Sequence, residues 1–170
     1  HDNVPVACVV RDSLGNVWFG TNGGISILMA DSTFTYYDTS NGLSDNNILE
    51  IVLDKNGYKW VGTNGGGANY FNDSIWTQYK VADGLIDSVV RAIAVDTAGA
   101  VWFGTDSGVS KKAGSVWTSY TMANGLADDR IYDVFVDSDN SVWFATGNGV
   151  SIFNGSTWRT VNSPDSFGDN

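Results

Sequence analysis

The sequence predicts an all-β fold, and three observations lead to that prediction. Four tryptophans recur 42, 42 and 41 residues apart in similar phrases, and they are Trp18, Trp60, Trp102 and Trp143. Every copy joins a short Val- and Ile-rich segment to Asp-, Asn- and Gly-rich turns, and no copy has the 3.6-residue periodicity of an amphipathic helix. A fixed period of this length indicates a supersecondary unit that stacks on its neighbours to bury its apolar surface.

Each copy begins with an apolar run, which reads VACVV, ILEIVL, VRAIAV or IYDVFV. These runs are too short for helices and apolar on both faces, so we predict that each is an innermost strand between neighbouring sheets. Each run ends at an aspartate six residues before the tryptophan, at Asp12, Asp54, Asp96 and Asp137. Because aspartate side chains hydrogen-bond the local backbone, we expect these residues to hold tight hairpin turns.

Three more strands complete each copy. The VWFGT-type phrase alternates large apolar residues with others and predicts the second strand, and ISILMA, GANYF, VSKKA and VSIFN predict the third. A second aromatic column opens the predicted fourth strand, at Phe34, Trp76, Trp117 and Trp158. The two prolines, Pro5 and Pro164, lie outside all of these strands, as ladder hydrogen bonding requires.

Four strands per copy, a period of about 40 residues and one Trp-Gly phrase per copy are the pattern of a β-propeller blade. We therefore predict a single propeller domain over residues 1–170, built from four four-stranded blades of about 42 residues. The expected blades are about 3–42, 43–84, 85–125 and 126–167. The tryptophans are expected to fill the wedge between adjacent twisted sheets, because a large flat side chain buries a large apolar area in such a space.

The string NGLSDNNILEIVLDKNGYKWVGTNGG resembles the two-component-regulator propeller repeat of bacterial periplasmic sensor proteins, and the resemblance covers almost the whole chain. It implies a bacterial periplasmic or extracellular location, although such blades recur in sensors, secretion-associated proteins and adhesins. The fourth copy departs from the pattern at two positions. Asn140 stands where the other copies have glycine in the turn, and Ala145 stands where they have glycine two residues after the tryptophan.

The chain ends predict an excised or processed fragment of a longer chain, because residues 1–3 align with the middle of a linker and 166–170 match the linker at 125–129. An isolated set of four blades leaves an apolar face of each end blade in water, and large exposed apolar faces drive association. We therefore predict a homodimer that closes an eight-bladed ring. A compact four-bladed ring within one chain is the alternative.

Composition limits the classes of partner and chemistry. The net charge is −10, from 19 acidic and 9 basic residues, which disfavours nucleic acid and anionic membranes as partners, and no membrane insertion is expected. His1 is the single histidine, which argues against His-based catalytic triads and His-ligated zinc or iron sites, and no GxSxG, CxxC or phosphate-loop motif occurs. We therefore expect no catalytic residues, no cofactor and no metal site. Ca²⁺ held by carboxylates at the channel mouth stays open as an alternative. Cys8, the single cysteine, is expected to be a buried and inert thiol.

A local function should lie where the copies differ. In a propeller the linkers before the innermost strands and the loops between the second and third strands open on one face around the channel. The predicted ligand-binding residues in those linkers are Asp45, Asn46, Asn47, Asp87, Ser88, Asp128, Asp129 and Arg130. Glu50, Arg91 and Asp133 interrupt the innermost strands, and we expect Glu50 and Arg91 to form an inter-blade ion pair.

Three functions are compatible with this sequence. The first is a non-catalytic module of a secreted or periplasmic bacterial protein that binds a glycan or peptide at the channel-mouth loops. The second is a purely structural repeat cassette that serves as an assembly scaffold. The third is a carbohydrate lyase in which Asp128, Arg130 and Tyr132 act at the channel.

Overall fold

A computed structural model of the protein describes residues 4–161, and these residues form four antiparallel four-stranded sheets. The first two sheets are built from β1 (Val6–Arg11), β2 (Val17–Thr21), β3 (Gly24–Leu28) and β4 (Phe34–Tyr37), then β5 (Ile48–Leu53), β6 (Lys59–Thr63), β7 (Ala68–Phe71) and β8 (Trp76–Tyr79). The last two are built from β9 (Val90–Val95), β10 (Val101–Thr105), β11 (Val109–Ala113) and β12 (Val116–Tyr120), then β13 (Ile131–Val136), β14 (Val142–Thr146), β15 (Gly149–Phe153) and β16 (Trp158–Val161).

The strands follow chain order within every sheet, so each sheet is a simple meander like β1-β2-β3-β4. The prediction of an all-β propeller with four four-stranded blades is confirmed. Two short 3₁₀ turns in the linkers, Val81–Asp83 and Met122–Asn124, were not predicted. The outer limits given to the first and last blades, residues 3 and 167, lie outside the described residues, as does Pro164.

Aspartate side chains hold the turns between the first and second strands, as predicted. Oδ1 of Asp12 accepts the backbone N–H of Leu14 and of Asn16, and Oδ1 of Asp137 accepts that of Ser141. The same turns contain a residue with positive φ, which is glycine in three copies and Asn140 in the fourth, with a φ of 62°. Asparagine tolerates this conformation better than other residues with a side chain, which explains how the fourth copy keeps its turn.

The core consists of layers between consecutive sheets. The indole of Trp18 lies 6.0 Å from the ring of Phe71 in the second sheet, and Trp102 lies 5.8 Å from Phe144 in the fourth. Trp60 packs in the same way on Phe103, at 5.6 Å. These three tryptophans are only 1–6% exposed, so the predicted wedge role is confirmed for them.

The two end sheets do not pack on each other within residues 4–161, because β1 lacks the close contacts with β13 and β14 that join consecutive sheets. Trp143, in the last sheet, is 38% exposed. The described residues therefore form an open arc rather than a compact four-bladed ring. No helix in this part of the chain has the length and apolar character needed to cross a membrane.

Candidate functional site at the channel mouth

The predicted ligand-binding residues lie in the three linkers that precede β5, β9 and β13. Each linker reaches a loop between a second and a third strand. Gly67 N–H donates to the carbonyl of Ser88 over 2.8 Å, and Gly147 N–H donates to the carbonyl of Arg130 over 3.0 Å. A Cβ built on Gly66 would lie 2.7 Å from Cβ of Asp45, so the linker before β5 also lies directly against the loop between β6 and β7. The predicted linkers and loops therefore meet on one face, here called the channel mouth.

One carboxylate in each linker folds that linker locally. Oδ1 of Asp45 accepts the N–H of Asn47 over 2.7 Å, and Oδ1 of Asp87 accepts that of Val89 over 2.9 Å. Oδ1 of Asp128 accepts the N–H of Arg130 over 2.8 Å. These contacts span two residues, as in an Asx turn, and they give each linker the same shape where it enters its strand.

Two other predicted residues tie the linker to the turn before it. The side-chain oxygen of Asn46 accepts the N–H of Thr39 over 2.8 Å, and Oδ1 of Asp129 accepts the N–H of Met122 over 2.7 Å. These two side chains therefore contribute to linker shape, and a role for them in ligand binding stays a prediction.

Arg91 forms an ion pair with Asp106, not with Glu50, so that part of the sequence prediction is wrong. Its Nε and Nη2 donate to Oδ1 and Oδ2 of Asp106 over 2.5 and 2.8 Å. The physical reason is a β-bulge, because the pairing of β9 with β10 places Val90 opposite Thr105 and Ala92 opposite Gly104, which leaves Arg91 as the extra residue.

The ion pair shifts the pKa values of Arg91 and Asp106 in opposite directions. The hydrogen bond to Asp106 is the largest cause that raises the pKa of Arg91, and the same bond lowers the pKa of Asp106. A second guanidinium also approaches this carboxylate, with Nε of Arg130 3.4 Å from Oδ1 of Asp106. Asp106 thus joins the third sheet to the linker of the fourth.

Arg130 and Tyr132 present a cation and an aromatic ring together. The guanidinium carbon of Arg130 lies 5.4 Å from the centroid of the Tyr132 ring, within cation–π range. The side chain of Arg130 is 53% exposed and Tyr132 is 52% exposed, so both can touch a ligand. Tyr132 occupies the bulge position in β13 that Arg91 occupies in β9.

Two mouth residues, Asp106 and Ser107, were missed by the sequence reasoning. Ser107 donates its hydroxyl to Oδ2 of Asp87, which connects the loop to the linker of the same sheet. The sequence did mark these two residues as a departure from the repeat, since the third copy reads TDSG where the first reads TNGG and the second TNGGG.

A second group of polar side chains lies on the innermost strands at equivalent positions, Cys8, Glu50 and Asp133. Burial raises the pKa of Glu50 to about 7, and the nearby charge of Asp133 adds to this rise. Burial likewise raises the pKa of Cys8 to about 11, with a further contribution from Glu50. Within residues 4–161, no three His, Cys, Asp or Glu side chains come together in a way that could hold a metal ion.

Three segments of the chain match a known family model. The family model described as two component regulator propeller matches residues 1–23, 84–107 and 125–148, so the resemblance noted from the sequence is confirmed. No curated protein matches the chain by sequence.

Solved structures show the same fold. The chain is 24% identical to the extracellular domain of the putative hybrid two component system BT3049 from B. thetaiotaomicron, with a TM-score of 0.83. The match covers 94% of this chain and 23% of that one. For the corresponding domain of BT4673 from the same organism the identity is 22% and the TM-score 0.79, over 96% of this chain and 22% of that one.

A third similar structure is an enzyme. It is a catalytically inactive histidine-to-alanine variant of virginiamycin B lyase from Staphylococcus aureus with quinupristin, at 20% identity and a TM-score of 0.74, covering 97% of this chain and 58% of that one. The chain spans less than a quarter of the length of the two B. thetaiotaomicron domains. The shared property is a propeller fold.

Proposed function

We propose that the protein is a non-catalytic ligand-binding module of an extracellular or periplasmic bacterial protein, and that its channel mouth binds a glycan or a peptide. The observation that carries this proposal is the cluster of Arg91, Asp106, Arg130 and Tyr132, which lies where the third and fourth copies depart from the repeat. Side chains that break a structural repeat and remain exposed are candidates for recognition rather than for folding.

The chemistry of the mouth suits a polar ligand with hydroxyl or carboxylate groups. The guanidinium of Arg130 can donate to either group, and the exposed ring of Tyr132 offers an apolar surface beside it. Asp87 and Asp106 supply acceptor oxygens, and the two arginines balance part of the negative charge. A sugar, which donates and accepts through neighbouring hydroxyls, matches this mixture of groups.

The proposed location rests on the similar structures. Two of them are extracellular domains of two component systems, and their blades resemble those of this chain. A sensor role for the parent protein would follow if ligand binding at the mouth were coupled to a signalling segment.

Glycan and peptide arrays followed by calorimetry on the positive probes test this proposal. Arg130→Ala and Tyr132→Ala should each weaken binding about tenfold, which is the usual effect of removing an important interface side chain. Arg159→Ala is the matched control, because Arg159 is exposed on the outermost strand of the same sheet, and it should leave binding unchanged. Loss of affinity in the control, or full affinity in Arg130→Ala, would contradict the assignment of the site.

A lyase is the second candidate, because Arg130 and Tyr132 are in contact at the mouth and a lyase is among the similar structures. That lyase is inactive as a histidine-to-alanine variant, whereas the one histidine of this chain is His1. The test is new absorbance of unsaturated product during incubation with polyuronides, and its loss in Arg130→Ala. A purely structural cassette would show neither binding nor turnover.

A further inference from the structure

Every interface between consecutive sheets joins the same two faces. One sheet contributes its front face, which carries the first tryptophan, as Trp18 does in the first sheet. The next sheet contributes its back face, which carries apolar residues of the innermost strand such as Ile48 and Ile51. The second and third interfaces repeat this arrangement, with Trp60 against Val90 and Trp102 against Ile131.

One face of this kind is left open at each end of the arc. On the back face of the first sheet, Val6 is 55% exposed and Val9 is 62% exposed. The residue equivalent to Val6 in each later sheet is fully buried, and these residues are Ile48, Val90 and Ile131.

The front face of the last sheet is open as well. Phe135 is 61% exposed, and Trp143 is 38% exposed although the equivalent Trp102 is 1% exposed. A concave, mainly apolar surface on this face is lined by Phe135, Trp143, Ala145 and Val150, with the carboxylates of Asp133 and Asp137 beside them. Contiguous apolar surface of this kind on a water-exposed sheet indicates an interaction site.

We propose that a second copy of this chain covers both faces, with the front face around Trp143 of each copy packed on the back face around Val9 of the other. A second copy fits these faces because the two open faces are the two halves of an interface that the chain already makes three times. Two copies related by a two-fold axis would satisfy both faces at two equivalent junctions and close a ring of eight sheets.

Ala145 predicts how this junction differs from the internal ones. A Cβ built on Gly104 would lie 2.5 Å from Cγ2 of Ile131 in the next sheet, and one on Gly20 would lie 2.7 Å from Cγ2 of Ile48. Glycine is therefore needed where consecutive sheets approach most closely. Ala145 carries a methyl group at this position, so the junction between copies must be wider, and Ala145→Gly should allow tighter association.

Sedimentation velocity on the 170-residue chain tests the proposal. The chain mass is 18.2 kDa, and the expected species has twice that mass. Trp143→Asp and Val9→Asp should each weaken self-association roughly 30-fold or more, since each places a charge in the centre of a junction. Ile75→Asp is the control, because Ile75 is 65% exposed in a turn away from both end faces, and it should leave the mass unchanged.

Mixing the two variants identifies the pairing mode and shows that both are folded. If front faces pair with back faces, a mixture of Trp143→Asp and Val9→Asp contains one intact junction per pair, so dimers should reappear at reduced affinity. Pairing of two like faces would instead leave one of the single variants fully dimeric. A monomeric wild-type chain at high concentration, one unaffected single variant, a mixture that stays monomeric, or unchanged affinity in Ala145→Gly would overturn the proposal.

Discussion

The indole nitrogen of Trp102 donates a 3.1 Å hydrogen bond to Oδ2 of Asp96, six residues earlier in the chain. Oδ1 of the same carboxylate accepts the backbone N–H of Ala100 over 2.8 Å. Asp96 thus links the hairpin turn to the side chain that fills the wedge between two sheets, and the same bond joins Trp18 to Asp12 over 3.0 Å.

Asp96→Ala should lower the free energy of unfolding by about 2–4 kcal/mol, because a buried indole N–H loses its acceptor and the turn loses a bond. Asp54→Ala is the matched control, since Asp54 accepts the N–H groups of Asn56 and Tyr58 but no indole bond to it is seen in the described part of the chain. We expect a loss of only about 1 kcal/mol there. Urea unfolding measures both, and equal losses would contradict a special role for the Asp-Trp bond.

Gly104→Ala should destabilise the protein by about 1–3 kcal/mol, the usual effect of overfilling a packed interface. The new methyl group would lie 2.5 Å from Cγ2 of Ile131, and the clash lies between two sheets. Gly23→Ala should have little effect, because the nearest atom to its Cβ would be Oγ1 of Thr21 at 3.7 Å. Thermal unfolding of the two variants checks this contrast, and a stable Gly104→Ala would show that the sheets are not this close.

Glu50 should make stability fall as pH rises from about 4.5 to about 7. Its pKa is raised from 4.5 to about 7 in the folded protein, so the folded state keeps a proton that the unfolded state has lost. The stability that comes from protonated Glu50 is fully present below its pKa in the unfolded chain, and it is lost as pH rises through its pKa in the folded protein. Glu50→Gln should remove this decline and stabilise the protein at pH 8 by about 1–2 kcal/mol, after allowance for solvent screening. Chemical unfolding at several pH values is the measurement, and a decline that persists in Glu50→Gln would refute this assignment.

The thiol of Cys8 should react slowly with a disulfide reagent at pH 8, because burial raises its pKa to about 11 and little thiolate is present. The unfolded chain provides the reference rate. Since Glu50 contributes to the raised pKa, Glu50→Gln should increase the rate in the folded protein. A folded rate equal to the unfolded rate would mean that the thiol is open to solvent.

Local patterns predicted the strands, their order and the roles of the turn aspartates. These features depend on contacts within one copy, such as the bonds of Asp12 to Leu14 and Asn16. The repeat made them visible four times, so even the substitution at Asn140 could be interpreted by comparison with the glycines in the other copies.

The ion pairs could not be predicted, because they depend on geometry between strands and sheets. The bulge in β9 directs Arg91 to Asp106, whereas Glu50 lies at a paired position opposite Gly62. The ion pair of the buried Lys59 side chain with the exposed Asp73 was also missed, since these residues are 14 positions apart and the other copies have no charged pair there.

A crystal structure of the 170-residue chain tests most directly the claim that one front-to-back interface organises the molecule. The expected result is four superimposable four-stranded sheets, with the indoles of Trp18, Trp60 and Trp102 buried against the next sheet and that of Trp143 against a second copy. A structure in which the sheets have another strand order, or in which Trp102 faces solvent, would contradict this account.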